Sequence, residues 1–254
     1  MTAIEYKDKR IPCRLIIFDK DGTLIDFSAT WVPLIRKRVA FLLKVLGRDD
    51  KELEALLLRS WGIDPISGRV NPRGPCPVSP RSDEIVIGTM ALYQQGYPWD
   101  ESKQWVAQAF DEADADGDWR EQVVPIQGIR TILTQLRESG FLTALATNDE
   151  RKDTEVILQH LGMESLFDII LCAGEVSPPK PHPETILTIC RQLSVTPQET
   201  IVIGDTVTDM IMGKRAGVAL KVGILEGGVT PREELEKVAD IVVNSIKELT
   251  FFKL

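Results

Sequence analysis

The chain has 254 residues, 30 Lys and Arg against 38 Asp and Glu, a formal net charge of −8, and is 43% apolar and 27% charged. That balance suits a globular chain with one large domain, or a core with a smaller one appended, and its acidity excludes a surface built to attract nucleic acid or an anionic membrane. No run approaches the roughly 18 apolar residues of a membrane span, and the opening MTAIEYKDKR lacks the apolar segment of a secretory leader, so a soluble, cytoplasmic protein is expected.

The first strand signal is residues 14–19, RLIIFD, a continuous apolar run closed by Asp-Gly punctuation. Such a run predicts a strand buried on both faces, as in a parallel sheet. Residues 27–122 break away from strand character. Helical spacing appears at 31–46, 51–61, 82–95 and 101–116, and between the second and third lies PISGRVNPRGPCPVSP at 65–80, too rich in proline and glycine to be anything but a loop. From residue 123 onward strand-like runs return at 142–147, 168–172, 200–204 and 240–243, with a weaker one at 219–223. They alternate with helical patterns at 128–139, 151–161, 183–193 and 208–216. This alternation predicts an α/β fold, a Rossmann-like doubly wound parallel sheet. The core is then residues 1–26 and 123–254, and residues 27–122 are an inserted all-helical module.

The chemistry of the chain must rest mainly on aspartates. Cys13, Cys76, Cys172 and Cys190 are far apart with no C-x-x-C pair, and His160 and His182 are the only histidines, which excludes a structural zinc site and a histidine-rich metalloprotease. Neither a dinucleotide-binding nor a P-loop glycine pattern occurs. Ligands of open α/β sheets bind beyond the carboxyl ends of the strands. Those ends carry Asp19, Asp21, Gly22 and Thr23, then Thr147 and Asn148, then Asp205 and Asp209, with Lys180 in the loop 174–183. Carboxylates so crowded repel one another and lose their charge. A hard cation with oxygen ligands, Mg²⁺, resolves that conflict and favours a phosphate beside it. Lys180, Thr147 and Asn148 would help to hold such a phosphate, an arrangement suited to phosphoryl transfer.

The set Asp19-x-Asp21-Gly22-Thr23, Thr147, Lys180 and Gly204-Asp205-x-x-x-Asp209 resembles, in order and at strand ends, the haloacid dehalogenase-like hydrolase superfamily. Pro125-x-x-Gly128 and Leu136-x-x-x-Gly140 look like its phosphoglycolate phosphatase branch, and a helical insert resembles that branch's cap. The resemblance implies that Asp19 attacks phosphorus and forms an aspartyl-phosphate. Asp21 would protonate the leaving alcohol and then deprotonate water, its pKa raised by acidic neighbours and partial burial. It further implies Mg²⁺ on Asp19, the Asp21 backbone carbonyl and Asp205, with Asp209 as an auxiliary ligand or behind the ligands. Thr147, Asn148 and Lys180 would hold the phosphoryl oxygens, Lys180 also serving the catalytic step. The implied substrate is a small phosphorylated metabolite of the phosphoglycolate kind.

Plainer readings stand beside these. Asp209 would equally well cap the helix that follows it, His182 would pack its loop, and His160 would suit a helix C-terminus. Residues 112–118, EADADGD, resemble a calcium loop, but Glu112 and Val123 occupy the positions that need Asp and Glu, so a solvated acidic linker is expected. Lys20 should add a cation near the phosphate. Arg36, Arg38, Arg59, Arg69, Arg73 and Arg81 are candidates to clamp a second anionic group, and the loop 65–80 is the part of the insert expected to face substrate. Two other outcomes use the same core: a sugar phosphomutase of the β-phosphoglucomutase type, or a non-catalytic ligand-binding protein. Dehalogenation is disfavoured because Asp21, an acid for phosphate chemistry, is present.

Overall fold

The computed structural model describes residues 2–253. The chain forms two compact units, one of Met1–Asp26 with Val124–Leu254 and one of Phe27–Val123. In chain order the elements are β1 (Thr2–Tyr6), β2 (Lys9–Pro12), β3 (Leu15–Phe18), α1 (Phe27–Val45), α2 (Lys51–Ser60), α3 (Arg81–Gln94) and α4 (Trp99–Ala115). There follow α5 (Ile129–Glu138), β4 (Leu142–Ala146), α6 (Arg151–His160), β5 (Ile169–Leu171), α7 (Glu184–Leu193) and β6 (Thr200–Gly204). The last are α8 (Val207–Ala216), β7 (Leu220–Ile224), α9 (Arg232–Leu235), β8 (Ile241–Val243) and β9 (Thr250–Lys253).

Six strands make one parallel sheet in the order β5-β4-β3-β6-β7-β8. Its middle strand, β3, is buried along its whole length because helices cover both faces. Ile16 and Phe18 face Leu145, Ile203 and the Ile129, Leu133 and Leu136 stripe of α5. Leu15 and Ile17 point the other way, toward Ala144, Val202, Ile186 and Ile189 of α7 and Met212 of α8. Successive strand side chains alternate between faces, so an uninterrupted apolar run is what a strand between two helical layers requires. Each such side chain stabilises the fold by about 1.5–3 kcal/mol. The chain steps from β3 through β4 to β5 and then returns to β6 on the other side of β3. The crevice at this reversal lies beyond the carboxyl ends of β3 and β6.

A second, three-stranded antiparallel sheet, β2-β1-β9, is absent from the sequence-based expectations. Its hairpin turns at Lys7 and Asp8, whose φ angles of 46° and 64° are left-handed, the twist a two-residue hairpin needs. Ile4 pairs with Phe251 across the chain ends and is itself fully buried in the main core.

In the second unit α1 and α3 both pack on α4. Leu34, Ile35, Val39 and Leu42 of α1, Trp61 after α2, and Val106 and Phe110 of α4 form its buried interior. Within it Arg38, 3% exposed, donates two hydrogen bonds to Asp114 and one to Glu84, each of 3.0 Å. Its guanidinium also lies 4.5 Å from the centre of the Phe110 ring. A cation this deep persists only because both carboxylates neutralise it, which removes Arg38 from the candidates for a substrate clamp. Arg36 donates to the Pro65 carbonyl and Arg81 pairs with Asp111 and Asp114. The acidic run at 112–118 is a solvated linker only in its second half, where residues 115–118 are exposed. Its first half is the last turn of α4, where Asp114 faces Arg38, and the helix ends at Ala115, with Asp116 as its C-cap before Gly117 in a left-handed conformation. Residues 65–80 form no helix or strand.

Candidate active site

Parallel register sets Phe18 of β3 beside Leu145 of β4 and Ile203 of β6. The next residues on each strand therefore leave the sheet at one level. Asp19 follows β3, its N–H donating to the Ile203 carbonyl at 2.9 Å. Asp205 follows β6, and Asp209 sits in the first turn of α8. Lys180 arrives from the loop between β5 and α7. Its Nζ is 2.5 Å from Asp19 Oδ1 and 2.8 Å from Asp209 Oδ1. Asp209 Oδ2 meanwhile accepts from the Thr206 backbone N–H and hydroxyl, completing a capping box. The Asp209 carboxylate thus caps the helix with one oxygen and faces the cluster with the other. Asp19, Asp205 and Asp209 bring one oxygen each within 4.8 Å of one another.

Burial pushes the Asp19 carboxyl up to about 7, with Asp209 and Asp21 adding to the effect and Lys180 opposing it. Asp205 is driven well above the usual carboxylate range, first by burial and then by Asp19, Asp209 and Asp21. Burial alone would lower Lys180, but the carboxylates of Asp19 and Asp209 outweigh it and raise it. Asp205 is 1% exposed, and neither of its oxygens has a hydrogen-bond partner of good geometry. The Val229 N–H is only the smallest influence on it.

Glycines make room for this carboxylate. A Cβ on Gly22 would fall 2.3 Å from Asp205 Oδ2, and one on Gly228 would fall 2.6 Å from Asp205 Cβ. Gly22 also has a φ of +81°, so the Asp-x-Asp-Gly motif needs its glycine for both turn and space. Two orphaned buried oxygens facing two further carboxylates form an all-oxygen donor set, and these residues fit a hard divalent cation such as Mg²⁺.

The remaining sequence-predicted residues lie around this cluster. Asp21 Oδ1 is 2.9 Å from the Lys20 ammonium. Lys20 itself is a correction. Its side chain is fully buried, and its Nζ lies between Asp21 and Asp149 Oδ2, the latter at 2.7 Å, so its charge goes to carboxylates. Burial would lower Lys20, yet Asp149 and Asp21 raise it above the ordinary lysine range. Thr147 and Asn148 follow β4. Thr147 is buried and its hydroxyl accepts from the Asp149 N–H at 3.1 Å. His182 accepts from the Glu184 N–H through Nδ1, and His160 ends α6. Asp149 is the site residue that sequence reading missed. Its only signal is an acid one place beyond the Thr-Asn pair.

A haloacid dehalogenase-like hydrolase family model matches residues 13–217. The Dickeya dadantii protein named "Probable phosphatase IndB" is 31% identical over 241 residues, covering 92% of this chain and 91% of that one. A phosphoglycolate phosphatase of Nitrosospira multiformis is 27% identical over 246 residues, 94% of this chain and 95% of its own. A solved Haemophilus somnus structure, described as a predicted phosphoglycolate phosphatase, superposes with a TM-score of 0.68 at 19% identity over 92% of this chain and 94% of that one. The match over most of the length, together with the strand-end aspartates, means that the chain belongs to the haloacid dehalogenase-like hydrolases.

Proposed function

We propose that this protein is a Mg²⁺-dependent phosphatase that hydrolyses a small phosphomonoester through an aspartyl-phosphate on Asp19. The observation that carries the reading is the Asp19, Lys180, Asp209 and Asp205 cluster at the switch point of the sheet. The names of the relatives, phosphoglycolate phosphatases among them, favour a substrate of that size and charge. The insert of Phe27–Val123 is read as a cap that excludes water and selects the leaving group.

An Asp19 carboxylate oxygen bonds to phosphorus while the bond from phosphorus to the substrate alcohol breaks. Asp21 gives its proton to the departing oxygen. A water oxygen then bonds to phosphorus, Asp21 takes back a proton, and the acyl-phosphate bond breaks to release phosphate and restore Asp19. Lys180 orients Asp19 and offsets negative charge on the phosphoryl group, which Thr147 and Asn148 help to hold. Asp19 and Asp205, with the Asp21 carbonyl, would hold Mg²⁺, and Asp209 lies close enough to assist. The ion supplies charge neutralisation for the phosphoryl oxygens.

Free phosphate release from a panel containing 2-phosphoglycolate and sugar phosphates, with Mg²⁺ or EDTA, tests this. Release that needs Mg²⁺ and drops at least ~10³-fold in Asp19→Asn is expected, because the covalent route is lost. Isomerised sugar phosphate without free phosphate would instead make it a mutase. Ligand binding with no turnover would make it a binding protein.

A further inference from the structure

Lys20 is a fully buried cation of the core unit, and the steps above do not use it. Burying an ammonium costs several kcal/mol, and a well-packed apolar side chain at such a place is often neutral or more stabilising. Stability is therefore a poor reason for a lysine here. Its surroundings suggest another. The Lys20 carbonyl is fixed by the N–H groups of Leu24 and Ile25 in the turn after β3. Asp149 is fixed from two directions, its N–H on Thr147 Oγ1 and its carbonyl receiving the Ala173 N–H beyond β5. The ammonium forms an ion pair with the side chain of this backbone-anchored residue, 2.7 Å away, and reaches Asp21 Oδ1, 2.9 Å away.

We propose that Lys20 is a positioning residue, a buried ammonium that braces the Asp21 carboxylate against Asp149 and so holds it in orientation for proton transfer. This rests on the phosphatase reading, in which Asp21 is the acid and base. A misplacement of about 1 Å at a reacting group can cost ~10²-fold in rate, and general acid catalysis itself contributes ~10²–10⁴-fold. Bracing matters most where the leaving group needs a proton. An alkoxide does; a nitrophenolate leaves without much help.

The experiment compares kcat/KM for 2-phosphoglycolate and p-nitrophenyl phosphate, with Mg²⁺, in wild type, Lys20→Met, Lys20→Arg and Asp149→Asn. Lys20→Met should lose ~10²-fold on phosphoglycolate and less than ~10-fold on the nitrophenyl ester. Lys20→Arg should recover part of the selective loss, and Asp149→Asn should show a smaller loss of the same kind. Equal losses on both substrates, or none, overturn the proposal, since a role confined to support of the fold or of the phosphate loop does not read the leaving group. If circular dichroism finds Lys20→Met unfolded, Asp149→Asn decides by the same comparison. A wild type inactive on both esters overturns the phosphatase reading, and Lys20's role falls with it.

Discussion

Asp205→Asn should make the metal-free protein more stable at neutral pH. The wild-type carboxylate is buried with both oxygens unpartnered, and burial, together with Asp19, Asp209 and Asp21, holds it well above the usual carboxylate range in the folded protein. For a group raised in this direction, stability is present in full below the unfolded pKa and is lost as pH rises toward the folded one. Each pH unit in that window costs about 1.4 kcal/mol. Asparagine has the same shape and no titration, but leaves an amide poorly partnered at a cost of about 1–3 kcal/mol. The charge held without a partner is the larger of the two costs at neutrality, so the variant is the more stable, each kcal/mol of the difference raising Tm by roughly 2–4 °C for a chain of this size. Mg²⁺ at about 100 times its dissociation constant should return about 2.7 kcal/mol to wild type and little to the variant.

Thermal melts followed by circular dichroism, in EDTA and in Mg²⁺, at pH 7 and near pH 4, read all of this. The variant should lead in EDTA at pH 7, lose that lead near pH 4, and lose it again in Mg²⁺. A variant less stable than wild type in EDTA at pH 7 would mean that Asp205 is not an uncompensated charge, and the case for a cation there would fail.

Other perturbations have defined outcomes. Gly22→Ala sets a Cβ 2.3 Å from Asp205 Oδ2 and a side chain at a φ of +81°. Overpacking and the left-handed backbone together should cost ~2–5 kcal/mol in urea unfolding, with a weakened Mg²⁺ response in the melts. Arg38→Met leaves Glu84 and Asp114 facing each other inside the helical unit without their shared guanidinium. A loss of about 3–5 kcal/mol is expected, read as faster proteolysis or hydrogen exchange confined to Phe27–Val123. Unchanged protection there would refute the role given to this cation.

The lines of the parallel sheet were legible in sequence because a strand between two helical layers must be apolar along its length, and residues 15–18 and 201–203 are. The strand-end aspartates were legible for a related reason. Once the strands are parallel and adjacent, the first polar residue after each must emerge at the same edge. Local pattern thus determined that Asp19, Asp205 and Asp209 share an edge, and that residues 27–122 interrupt the core with helices.

Pattern did not determine the destinations of charge. In sequence Lys20 reads as a cation beside the phosphate, Arg38 as a candidate clamp and Asp114 as part of a solvated linker, while Asp149 carries no signal of its own; their ion pairs join residues as far apart as 20 and 149, or 38 and 114. The small sheet was hidden likewise, because β1 pairs with β9 across nearly the whole chain, Thr2 opposite Lys253. Neither short segment carries an apolar run long enough to announce a strand alone. Periodicity records which face of an element is buried. Only the tertiary structure decides which distant backbone completes a sheet, and which carboxylate neutralises a buried cation, because those energies exist only once both partners have left water.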